Sequence, residues 1–178
     1  MPSEAAGPPF DPAAYGPAVA ALLSVPRLPP LGPGTPSAAD RAPVAAWAAA
    51  PDFGRPVRDP AAALACVAGL YLHFDCCDEA HAVAQALETP DRAFWHAILH
   101  RREPDAANAK YWFRRVGPHP VIERLAAESG YSTPTRFVDV CEQVRGTGSV
   151  AEERARRVQW LEWRLLFDHC ARAAVGVR

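Results

Sequence analysis

Apolar residues recur along the chain at three- and four-residue intervals, with no sustained alternation and no Asn-Gly or Asp-Gly hairpin signal. That periodicity predicts helices and no sheet. Four helix starts are written as a capping residue followed by proline: Asp11-Pro12, Asp59-Pro60, Thr89-Pro90 and Thr133-Pro134. An Asp or Thr oxygen accepts from the orphan amides of a first turn, and proline at the first helical position lacks only a donor that would have no partner there. Gly130, Gly146 and Pro104 mark stops. The expected fold is all-α, with about eight or nine helices of ordinary length. Residues 1–36 read as an N-terminal arm that ends in a Pro-rich connector, SVPRLPPLGPGTP over 24–36, which suits a polyproline-like path. Residues 37–178 read as a single helical domain.

From Asp59 onward the helices come in pairs, the second pair following the first by about thirty residues, as in antiparallel helix hairpins stacked into a compact bundle or short solenoid. Residues 92–116, RAFWHAILHRREPDAANAKYWFRRV, resemble a Sel1 or tetratricopeptide-type hairpin, with Ala109, Tyr111, Trp112, Phe113 and Arg114 at the aromatic positions of its second helix. The resemblance implies an α-solenoid interaction surface. Residues 92–120 are also similar to a group of helical proteins that brings no activity with it.

Composition narrows the class. With 178 residues, 49% apolar and 22% charged, the chain suits one globular domain. A formal net charge of -1 removes whole-protein attraction to nucleic acid or to anionic membrane. No apolar run reaches the roughly 18 residues of a bilayer span, and the Met1-Pro2-Ser3-Glu4 start lacks the order of a secretory signal, so the expected location is the cytoplasm. Lys110 is the only lysine, and heavy use of Arg, Ala and Pro points to a GC-rich, bacterial coding sequence. Five cysteines, an odd number without framework spacing, are expected as reduced thiols.

The main chemical signal is that five of six histidines, His73, His81, His96, His100 and His119, fall within residues 73–119. On the helix after Thr89, Phe94, Trp95, Ile98 and Leu99 form the apolar ridge, and His96, His100 and Glu103 gather opposite it. Two histidines at i and i+4 can share a metal, and Asp78 with His81, one turn apart on the preceding helix, can supply further ligands. The set His81, His96 and His100 with Asp78 or Glu103 suits zinc, iron or manganese. On the next helix Asn108, Tyr111 and Arg115 lie in line, with His119 beyond and Arg101 nearby, a surface suited to a carboxylate, phosphate or sugar. Two functions follow. One is a helical-hairpin protein that binds an anionic small molecule or peptide through this His/Arg/aromatic groove. The other is a metal-dependent enzyme centred on His96 and His100. If the groove is shared, its buried imidazoles should titrate below the ordinary histidine value of about 6.5.

Overall fold

The structure is a computed structural model and describes residues 10–86, 89–131 and 133–177. Within those residues a 3-10 turn, Pro12–Tyr15, leads into α1 (Pro17–Leu22) and α2 (Ala38–Ala49). Then come α3 (Pro60–His73), α4 (Cys77–Gln85), α5 (Pro90–Arg102) and α6 (Ala106–Val116). The chain closes with α7 (Pro120–Ser129), α8 (Pro134–Val144) and α9 (Val150–Ala174). No strand occurs among the described residues, so the fold is an all-α compact bundle. The arrangement is compatible with helical-hairpin repeats.

The four proline starts behave as the sequence predicts. Asp11 caps the 3-10 turn, and Asp59, Thr89 and Thr133 cap α3, α5 and α8, each accepting a backbone N–H of its first turn. Gly130 ends α7 in the left-handed conformation.

Buried apolar side chains from Tyr15 to Ala174 form one continuous core. Helices α3, α5 and α9 meet at Gly69, whose carbonyl accepts a 2.7 Å hydrogen bond from Trp163 Nε1. A Cβ at Gly69 would sit 2.7 Å from the buried Trp95 ring, so only glycine permits this approach. Along α9, Trp163, Phe167 and Cys170 are buried, with Trp160 stacked on Trp163 at 5.0 Å. Glu152 accepts from the Gly146 and Gly148 amides, and Arg156 turns to the carbonyls of Leu28 and Pro29.

That last contact belongs to a larger device. Segment 24–36 contains no helix, as expected, but it packs as a strap along the bundle. Prolines remove amide donors from the strap, so its carbonyls need donors from elsewhere. Six consecutive carbonyls find them: Leu28 and Pro29 from Arg156, Pro30 from Gln159, Leu31 from Arg145, and Gly32 and Pro33 from Arg102. Arg102 also donates to the Leu72 carbonyl and to the buried Asp75 carboxylate, which Arg27 of the strap engages from the other side. Gly34, at φ 72°, lets the strap pass Asp75, because a Cβ there would fall 2.3 Å from the carboxyl carbon.

Beside this network His73 is 2% exposed and lies among Phe74, Trp160 and Trp163. Burial, reinforced by Arg27 and Arg102, lowers its pKa to about 3. The folded protein therefore holds His73 neutral where the unfolded chain takes up a proton, near pH 6.5. Stability from this group is fully present above that pH and is lost as pH falls toward 3. Urea denaturation should show stability declining below about pH 6.5, and His73→Leu should flatten the decline by up to about 1.4 kcal/mol per pH unit. An unchanged slope in the variant would refute a neutral buried imidazole here.

Candidate metal centre

Helix α5, expected to carry an apolar ridge with His96, His100 and Glu103 opposite it, is covered on nearly every side. His96 and His100 are 3% and 6% exposed, and Arg92, Arg101 and Arg102 are buried with them. Its neighbours are α3, α4 and α6, while long side chains reach α9. The polar face therefore looks onto other helices.

The histidine constellation predicted from spacing assembles there. His81 on α4 meets His96 edge-on at 4.8 Å between ring centroids and His100 at 5.4 Å, while His96 and His100 stack at 4.7 Å. One ring nitrogen from each can be chosen so that all three lie within 4.8 Å of one another. Trp112 of α6 stacks on the far face of His96 at 4.0 Å and fixes that ring. Both nitrogens of His96 are buried without any hydrogen-bond partner. A buried polar atom left unpaired is uncommon and costs on the order of 1–3 kcal/mol. Burial first, then His100, His81 and Arg92, lower the His96 pKa to about 4. The arginine that contributes at His96 is Arg92, the smallest of these causes, and not Arg115. His100 is also lowered by burial, against the opposing pull of Glu103.

The surroundings of the three rings sort the other candidates. Glu103 lies 3.0 Å from His100 Nδ1, the position of an outer carboxylate that orients an imidazole. Asn108 Nδ2 lies 3.1 Å from His100 Nε2, and Gln85 3.0 Å from His81 Nε2. Asp78 is exposed and stands outside the three-histidine group. Tyr111 is 45% exposed and touches Trp112, and Arg115 lies over both rings with a 3.3 Å bond to the Tyr111 hydroxyl. Asn108 thus meets His100 directly, while Tyr111 and Arg115 pack on Trp112, the ring stacked on His96. Arg101 does neither. It is fully buried and faces away, bonded to Glu162 and Gln159 of α9, because a desolvated guanidinium requires a carboxylate partner. The adjacent Cys76 and Cys77 take no part either: Cys76 is turned to the Phe74 carbonyl and Cys77 to that of Pro33. All five cysteines are free thiols.

His119 also leaves the groove. It caps α7, its Nδ1 accepting from the Val121 amide at 3.2 Å, and its Nε2 lies 2.9 Å from Asp91. His169 of α9 approaches the same Asp91 oxygen at 3.3 Å, making a second cluster capable in principle of holding a cation. The chemistry separates the two clusters. Because Nδ1 of His119 accepts an N–H, its proton must sit on Nε2, so that nitrogen donates to Asp91 and has no lone pair for a metal. His96 carries no such commitment, whereas His100, with Nδ1 at Glu103 and Nε2 at the Asn108 amide, would have to give up the Asn108 bond to ligate. Sequence reasoning missed this second cluster because Asp91, His119 and His169 are remote from one another in the chain and no spacing rule connects them.

No protein-family description, curated protein or solved structure matches the chain. No helix among the described residues is long and apolar enough to cross a membrane.

The Asp91 bond raises the His169 pKa above the ordinary value, against the opposing effect of burial, while both histidines hold the Asp91 carboxyl well below its usual range despite its own burial. NMR titration should therefore find His169 protonating at higher pH than a free histidine. Asp91→Asn removes the hydrogen-bond acceptor and the charge that favour the cation, so the His169 midpoint should fall. An unmoved midpoint would show that the two side chains do not pair.

Proposed function

We propose that this protein binds a divalent transition metal, zinc, iron or manganese, through His81, His96 and His100, and uses it in chemistry on a small anionic substrate. The observation that carries the reading is the pair of unpartnered nitrogens on buried His96, set between two further imidazoles. A metal would give one of those two orphan nitrogens a partner. Three imidazoles are the donor number of a catalytic rather than a closed structural site, since a tetrahedral ion retains one position for water or substrate. Neutral ligands also leave the ion's full double charge to polarise a bound water or carbonyl. Depressed protonation of His96 and His100 keeps their lone pairs available at neutral pH. Binding would draw the nitrogens from within 4.8 Å to about 3.3 Å apart, which follows from bonds of about 2.0–2.1 Å and needs only small side-chain rotations.

Charge around the site favours an anionic substrate. Arg92, one turn before His96, is buried with Nε and both terminal nitrogens unpartnered. From α6, Asn108 meets His100 and Arg115 lies over Trp112, the ring stacked on His96, which adds positive charge near the rim. The anion-recognition reading and the metal-enzyme reading therefore describe one place, with Arg101 and His119 belonging to neither.

Purified protein reconstituted with zinc, iron or manganese should retain about one ion per chain under one of these metals, and His96→Ala combined with His100→Ala should retain none. Metal at 100 times its dissociation constant should stabilise the wild type by about 2.7 kcal/mol and leave the double variant unchanged. Trp112, stacked on His96, should report the same event by a change in fluorescence. Absence of stoichiometric metal under all three conditions would refute the proposal.

A further inference from the structure

On the opposite end of α5 from His100, a cleft of about 820 Å³ opens between α7, the C-terminal half of α9 and the loop before α3. Its volume falls within the roughly 300–1,000 Å³ typical of small-molecule sites. The cations come from three elements: Arg58 from the loop, Arg124 from α7, and His169 with Arg172 from α9. The loop is fixed where it contributes, because the Arg58 and Asp59 amides both bond to the Ala174 carbonyl of α9.

Two carboxylates also line the cleft, and both are engaged by donors of their own chain. Asp59 accepts the Ala61 and Ala62 amides as the cap of α3, and Asp168 accepts the Tyr15 hydroxyl at 2.8 Å. Arg124 uses Nε on Glu128, at 2.7 Å, which leaves its two terminal nitrogens outside that bond. His169 spends Nε2 on Asp91, so that Nδ1 is the nitrogen remaining for a ligand. Asp91 thus acts as a positioning residue, holding the imidazole from behind. Val121 and Leu165 supply apolar wall between the charges.

We propose that this cleft is a second ligand site, independent of the three-histidine centre, and that it binds a small molecule carrying a diphosphate or two phosphate groups. Guanidinium groups match phosphate oxygens in pairs, and their origin on two elements flanking α9 suits two anionic groups better than one. The net charge of -1 means that no general attraction accounts for such binding; the local arrangement must.

Inorganic pyrophosphate is the probe, titrated calorimetrically into the full chain with a chelator present so that metal at the other centre does not interfere. Saturable one-site binding is expected, with Arg58→Ala and Arg124→Ala each weakening it about tenfold and the double variant abolishing it. The His169 imidazole signals should shift on binding and those of His96 should not, and the His96→Ala, His100→Ala variant should bind as the wild type does. Circular dichroism checks that the arginine variants remain folded. Heats that do not saturate, equal binding of sulfate at matched ionic strength, or affinities indifferent to both arginines would overturn the proposal.

Discussion

The structure depends on what becomes of the Arg102 guanidinium, buried at the end of α5 with no water to solvate it. It bonds to the Asp75 carboxylate, to the Leu72 carbonyl at the end of α3, and to two carbonyls of the Pro-rich strap. A buried ion pair gives little net stability over an apolar replacement, but losing one partner costs about 3–5 kcal/mol, so the pair acts as a strict positional constraint. Arg101, next in sequence, points the other way into the Glu162 carboxylate of α9. Together they hold the last turn of α5 between the α3–α4 turn and the long closing helix. His100 lies in that turn and His96 one turn earlier.

This pinning accounts for the chemistry of the histidines. With its helix fixed and Trp112 stacked on one face, His96 has no freedom to turn toward a hydrogen-bond partner, and its nitrogens stay unpaired. With His96 held in place, the closure of the three nitrogens onto an ion falls to His81 and His100. At the other end of the same helix, Asp91 gathers His119 and His169 into a set whose protons are already assigned. The two ends of one helix thus border two histidine groups, one holding the unpaired His96 nitrogens and the other gathered on Asp91.

Much of the local structure was legible in the sequence. The Asp-Pro and Thr-Pro caps gave helix starts because capping is a four-residue affair, and His96, His100 and His81 were found by helical spacing and hairpin packing. The long-range polar pairing was not legible. Nothing near Arg101 or Arg102 in the chain announces Glu162 or Asp75, and a helix read as amphipathic turned out to be enclosed, with Arg101 and Arg102 paired across the core and the Arg92 side-chain nitrogens without hydrogen-bond partners. The strap shows the same limit: its lack of helix follows from proline, but the arginines that bond its carbonyls lie 69 to 128 residues away. His119 was placed in the groove by proximity in sequence and belongs to α7's cap by geometry.

X-ray absorption at the metal edge of the zinc-loaded protein addresses the central claim most directly. A site built from His81, His96 and His100 should give imidazole scattering from three nitrogens at about 2.0–2.1 Å and one light exogenous ligand, with no sulfur. Sulfur at about 2.3 Å, or an imidazole count unchanged by His96→Ala, would contradict it.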